Sequence, residues 1–311
     1  MLGASAGNSL VVLGGGFVGE AVARGVTRRK SASEVAVVSR HPVGIATARP
    51  MESWRVLDVA NRLDLYPLLD KADSIVYAIG SPPPAVSASA HDLGLHEALL
   101  PLVAALEVCR VSSFGGRFVY LSSGGAVYGE QGQNPITEHA LPAPVSAYGV
   151  LKQTGEMLVA MYGKQCGFSY NSLRIANAYG PGQPTRGQGA IAAFLEAAWL
   201  DNSVALYGDG KTVRDYIYID DLADVILDFA FGSCDAEVVN VGTGVGTSLL
   251  EVLALVEKAS GKRLKRLHLK ARPVDVKWNV LDVNLLGRIC DRTMIGLEEG
   301  IQSTWRTRRA S

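Results

Sequence analysis

Short apolar runs alternate along the chain with longer stretches in which apolar residues recur every three to four positions. Leu10-Val11-Val12-Leu13, residues 35–38, 56–59, 74–79 and 118–121 read as buried strands. Residues 20–27, 93–109 and 153–161 read as helices between them, with Pro101 a kink or an interruption of the second. Pro82-Pro83-Pro84 cannot continue the strand before it. Strand following helix in this order predicts an α/β fold around a parallel, doubly wound sheet that binds its ligand at the carboxyl ends of the strands. The later chain adds an apolar helix over 190–199, a strand and turn at 206–210, and a helix from 219 capped by Asp220. A strand at 238–242 precedes a helix over 249–259, capped by Ser248 and closed by Gly261. Asp282 to Asn284 offer a cap to a following helix, and residues 297–305 form a terminal one.

Composition narrows the classes. With 311 residues, 48% of them hydrophobic, the chain can bury a large core. Thirty basic residues balance thirty acidic ones, so no net charge marks a nucleic-acid or anionic-membrane partner. The clusters at 28–30 and 262–270 read as solvated surface. Cys109, Cys166, Cys234 and Cys290 are too widely spaced for a metal site and read as reduced packing residues, and the five histidines form no ligand motif; no metal is expected. The first apolar run is short and no 18-residue apolar span follows, so a cytoplasmic protein without membrane insertion is expected.

The first strand runs into Gly14-Gly15-Gly16-Phe17-Val18-Gly19, whose Gly14, Gly16 and Gly19 match Gly-x-Gly-x-x-Gly. The first glycine permits the turn, the second lets backbone approach a pyrophosphate, and the third permits close helix–strand contact; the unpaired N–H groups at Phe17 and Val18 face the phosphates. A dinucleotide site is expected, with further contacts from Ser39 and Arg40 after the second strand, Asp58 and Val59 at the third, and Ala78 and Gly80 at the fourth. Ser39-Arg40 suits an additional 2′-phosphate better than a bare ribose and inclines the cofactor to NADP over NAD, although Arg40 also fits an ordinary edge charge. Residues 8–176 then form mainly the dinucleotide-binding domain and 177–311 mainly a substrate domain, with about 217–242 returning to the first.

Tyr148 and Lys152 stand four apart where a helix begins, and so share one face. A tyrosine that works as a base near neutral pH needs its pKa lowered by two to three units from about 10, and a lysine cation beside an oxidised nicotinamide is a credible source. Arg214 offers a planar group of five donors suited to a diphosphate; the alternative is an Arg214-Asp215 surface or hinge pair.

Together, residues 122–129, Tyr148 to Lys152, residues 173–181 and the stretch 208–216 resemble the extended short-chain dehydrogenase/reductase superfamily. Among its members the chain is most similar to the nucleotide-sugar epimerases of the UDP-glucose 4-epimerase type, over nearly its whole length. The resemblance implies a Rossmann-like sheet with a smaller α/β C-terminal substrate domain, bound NAD or NADP, a UDP-linked sugar as substrate, and a homodimer. It makes Tyr148 the catalytic acid/base and Lys152 the residue that holds the nicotinamide ribose and lowers the tyrosine pKa. It places Asn177 near a substrate phosphate, with a turn-capping asparagine as the alternative. Gln188 and Gly189 fall where relatives offer backbone contacts to a nucleotide, Tyr207 in the neighbouring substrate-side strand, and Arg272 and Asp275 in a late basic–acidic substrate segment.

The sequence departs from the pattern at Gly124, where the family carries its catalytic Ser or Thr. Ser123 is the expected replacement, with Ser122 the nearest other hydroxyl. Gly125-Ala126 stand where the dehydratases carry an Asp-Glu pair, which removes the acid and base that dehydration needs. The leading expectation is reversible 4-epimerisation of a UDP-hexose or UDP-hexuronate through a transient 4-keto sugar. An NADP-dependent ketoreductase and a catalytically weak sugar-nucleotide sensor or scaffold are the alternatives.

Overall fold

The computed structural model describes residues 8–32, 34–40, 54–80, 95–132, 135–185, 189–271 and 276–310. The chain forms two compact units: residues 1–122, 150–173 and 223–239 in the first, and 123–149, 174–222 and 240–311 in the second. Segment 123–149 belongs to the second unit.

The sheet of the first unit is built on β1 (Ser9–Leu13), flanked in parallel by β2 (Glu34–Ser39) and β4 (Ser74–Tyr77). β3 (Trp54–Val56) extends one side, and β5 (Arg117–Ser123), β6 (Ser169–Ile175) and β10 (Val238–Val241) the other, in the order β10-β6-β5-β4-β1-β2-β3. The reversal of direction of travel at β1 is the switch point at which such sheets bind ligands. β3 covers 54–56 and not the expected 56–59; Asp58 lies in the turn beyond it, where its carboxylate accepts from the Ala60 N–H at 3.0 Å.

Helices α1 (Phe17–Arg29), α2 (Arg62–Leu69) and α3 (Leu100–Val111) accompany these strands. Pro101 sits in the first turn of α3, where its missing N–H costs nothing, and a π-helical turn, Leu95–Leu99, precedes it. Leu13, Ile75, Leu65, Leu106 and Phe118, all fully buried, anchor one core, with Tyr77 stacked between Phe118 and Tyr120. The basic cluster at 28–30 is partly committed: Arg28 pairs with Asp224 at 2.7 Å and Arg29 with Asp228 at 2.6 Å.

In the second unit β9 (Val213–Tyr218) is the central strand, bounded by β7 (Asn177–Tyr179), β11 (Gly246–Ser248) and β13 (Trp278–Asn279). A second pair joins β8 (Val204–Tyr207) to β12 (Arg266–Leu269). Helices α6 (Ala190–Leu200), α8 (Leu249–Ser260) and α10 (Leu297–Ala310) bury Leu195, Phe194, Val252, Leu253 and Ile301 in their own core. Ser248 and Glu251 form a reciprocal capping box and Gly261 closes α8 in the left-handed conformation, as the sequence predicts. Helix α7 (Ile219–Phe231) starts at Ile219 as expected, but Asp220 then lies within its first turn and not at its cap. Helix α9 is Asn284–Ile289, and its cap position is Val283, which makes no side-chain cap bond; Asp282, one residue earlier, accepts from the Asn284 N–H at 2.9 Å.

Candidate active site

The exit of β1 is shaped by its glycines. Gly14 has φ +113°, and a Cβ there would stand 2.8 Å from the carbonyl carbon of Ala78 and the nitrogen of Ile79. A Cβ on Gly19 would run into the carbonyl oxygen of Gly14. Gly16 is exposed, with nothing within 4 Å of a would-be Cβ, and no side chain caps α1. Close strand–loop contact, open space beside Gly16 and bare N–H groups at Phe17 and Val18 together make a cradle that fits a dinucleotide pyrophosphate. Gly80 also borders open space, after the Ala78 N–H donates to the Leu13 carbonyl at 2.8 Å. Val59 is 2% exposed and packs within the core of the first unit. Ser39 ends β2, and Arg40 lies 3.7 Å from the Glu97 carboxylate with both side chains partly exposed.

Helix α5 (Ala147–Cys166) carries Tyr148 and Lys152 one turn apart, as the spacing predicts. The Tyr148 phenol is hydrogen-bonded to the Ser123 hydroxyl. Burial raises the Tyr148 pKa and the Ser123 bond acts in the opposite direction with smaller effect. The expected fall in the tyrosine pKa is therefore not a property of these side chains by themselves; burial outweighs the one hydrogen bond. Lys152 is buried and donates from Nζ to the Leu121 carbonyl at 2.7 Å, with the Tyr120 ring 5.2 Å away. Burial lowers its pKa from 10.5 to about 8, against the pull of the Glu156 carboxylate.

Ser122, the other candidate hydroxyl, is 4% exposed and donates to the Glu156 carboxylate, whereas Ser123 is the serine bonded to Tyr148. Glu156 itself was missed by the sequence reading, although its position four residues after Lys152 on one helix was the available signal.

Gly124 begins the short helix α4 (Gly124–Val127), and the room a side chain would need is taken. A Cβ there would lie 2.7 and 2.9 Å from the two terminal methyls of Leu281 and 3.1 Å from the Arg174 carbonyl oxygen. Leu281 is fully buried and bridges to Ile136. The Gly124 carbonyl in turn accepts from Asn279 Nδ2 at 3.1 Å. Neither Asn279 nor Leu281 could be connected with this loop from sequence, since more than 150 residues separate them from it.

Strand β9 carries Arg214 and pairs with the strand of Asn177, two of the residues expected on the substrate side. Arg214 pairs across to Thr247 on β11 and Asn279 on β13, and donates from Nη1 to the Val213 carbonyl at 2.8 Å. Asp215 is no surface partner for it: fully buried, it accepts from the N–H and hydroxyl of Thr243 at 3.0 and 2.7 Å and from the Gly244 N–H at 3.0 Å. Asn177 Nδ2 donates to the Asp215 carbonyl at 3.0 Å, tying β7 to β9. Tyr207 ends β8, and Gly189, with φ +77°, starts α6. Gln188, Arg272 and Asp275 lie outside the described residues. Among the described residues no group of three or more His, Cys, Asp or Glu side chains could hold a metal ion, and no helix is long and apolar enough to cross a membrane.

Residues 10–242 match the family model described as NAD dependent epimerase/dehydratase family. A candidate UDP-glucose 4-epimerase from Methanocaldococcus jannaschii is 34% identical over 187 residues, which span 60% of this chain and 61% of that relative. The structure of a Thermus thermophilus UDP-glucose 4-epimerase in complex with NAD is 30% identical and superposes with a TM-score of 0.89 over 97% of this chain and 99% of that one. A Thermotoga maritima UDP-glucose 4-epimerase with UDP-glucose is 27% identical, again with a TM-score of 0.89 over 97% and 99% of the two chains.

Proposed function

The chain belongs to the NAD dependent epimerase/dehydratase family, and from that premise we propose that it interconverts the C4 epimers of a UDP-linked hexose or hexuronate through a transient 4-keto sugar. The observation that carries the reading is the hydrogen bond between Ser123 and Tyr148, which supplies a hydroxyl to the tyrosine where Gly124 has none. Tyr148 takes the proton from the C4 hydroxyl and returns it to the C4 oxygen once the keto sugar has turned its opposite face toward the site of hydride return. Ser123 holds the phenol and the C4 oxygen in line, and Lys152 brings positive charge to the foot of the same helix turn. Arg214 grips the diphosphate.

The glycine cradle fits NAD, which when bound supplies reversible hydride chemistry at C4. NAD is preferred to NADP: the Thermus relative is bound to NAD, and Glu97 beside Arg40 sets a carboxylate against any added 2′-phosphate. UDP-glucose is the first substrate to test because the Thermotoga relative binds it. Gly125 and Ala126 supply no acid or base for dehydration. A homodimer is supported by Val150, Met157 and Met161, exposed at near-helical spacing along α5.

The test is incubation of the purified protein with UDP-glucose, UDP-galactose, UDP-glucuronate and dTDP-glucose, with catalytic NAD only, followed by sugar analysis and absorbance at 340 nm. The expected result is a C4 epimer without net reduced cofactor. A parallel incubation supplies NADPH and a 4-keto sugar nucleotide; no epimer in the first incubation and consumption of one NADPH per product in the second, which Arg40 alone would favour, replaces epimerisation by ketoreduction.

A further inference from the structure

Asn279 is 1% exposed on β13, and only one end of its amide is used. Its Nδ2 donates to the Gly124 carbonyl, while Oδ1, equally buried, has no hydrogen-bond partner among the described residues. A buried polar atom left unpaired is costly, and a leucine of similar volume would avoid the cost. The reversed amide is no remedy, since it would set Oδ1 against the Gly124 oxygen. What the asparagine provides in exchange is a grip on one backbone carbonyl, adjacent to Ser123. The same segment holds that backbone a second time, because the Leu281 methyls fill the space on Gly124. Its own footing is firm: Ile136 donates to the Val280 carbonyl and accepts from the Asp282 N–H, both at 2.8 Å.

We propose that Asn279 is a positioning residue that clamps the Ser123–Gly124 backbone and thereby aims the Ser123 hydroxyl at Tyr148. Gly124 has no side chain to fix the loop, and Ser123 has no side-chain bond into the helix it precedes, so its rotamer depends on where the backbone is held. The clamp makes the displaced hydroxyl workable. The inference rests on the acid/base reading of Tyr148 and Ser123.

The test uses the full chain labelled with [13Cζ]tyrosine, the Tyr148 signal being the one lost in Tyr148→Phe. Ser123→Ala and Asn279→Leu are expected to move that signal in the same direction and by a similar amount at pH 8, and the double variant to move it no further. The pH–rate limb that requires the deprotonated phenol is expected to move to higher pH in both, because the Ser123 bond acts to lower the Tyr148 pKa. Asn279→Ala removes the same donor should the leucine variant not fold. If Ser123→Ala moves the signal and the Asn279 variants leave it in place, or if the double variant gives the sum, the clamp is overturned while the acid/base reading stands. If Ser123→Ala leaves the signal unmoved, the Ser123–Tyr148 pairing is absent and both ideas fall.

Discussion

Replacing Gly124 by serine puts the family's usual hydroxyl back, and the structure says that it will not fit. The new Cβ would stand 2.7 and 2.9 Å from the Leu281 methyls and 3.1 Å from the Arg174 oxygen, whereas carbon atoms pack best at about 3.5 to 4.0 Å. Leu281 is wholly buried and cannot swing into solvent, so it must change rotamer or the loop must move. Overpacking of this kind costs roughly 1 to 3 kcal/mol, a fall of roughly 2 to 4 °C in melting temperature per kcal/mol for a domain of this size. Leu281→Ala by itself leaves a cavity worth roughly 2 to 5 kcal/mol. In the double variant the serine enters that space, so the combined loss is expected to be smaller than the sum by about 1 to 2 kcal/mol. Urea unfolding followed by circular dichroism on the wild type and three variants measures this directly. Strictly additive losses, or a Gly124→Ser protein within about 0.5 kcal/mol of the wild type, would show that Leu281 does not occupy the vacated position.

Three further outcomes are expected. Tyr148→Phe keeps nucleotide-sugar binding, read by calorimetry, and loses on the order of 10²-fold or more in turnover; near-normal turnover would remove Tyr148 from the chemistry. Lys152 has a folded pKa of about 8, below its ordinary 10.5, so between these values the unfolded chain holds more protons and stability rises with pH. The unfolding free energy of the wild type should therefore climb relative to Lys152→Met across that window, by on the order of 3 kcal/mol, and a flat difference would mean that the lysine is not desolvated. Finally, Met157→Glu with Met161→Glu is expected to give a monomer by light scattering, and a persisting dimer would place the interface elsewhere.

The parts of the fold that were legible in sequence are those set by local rules. Strands β1, β2 and β4 follow from unbroken apolar runs, and the ends of α8 from Ser248 and Gly261, because period and capping act within a few residues. β3 was displaced by two residues because Val56 to Val59 look like a strand, while Asp58 and Asn61 turn the chain over 58–61. The role of Ser122 was open until Glu156 was seen to hold it.

By itself the sequence determined the glycine turn, the shared helix of Tyr148 and Lys152, and the family, since each depends on spacing along one continuous stretch. The tertiary structure decided what fills the missing side chain at Gly124, which serine reaches the tyrosine, and that burial raises the tyrosine pKa. Those outcomes depend on Leu281, Asn279 and the surrounding dielectric, brought to the loop from more than 150 residues away by the packing of β13 against β9. No local pattern records a neighbour that only folding supplies.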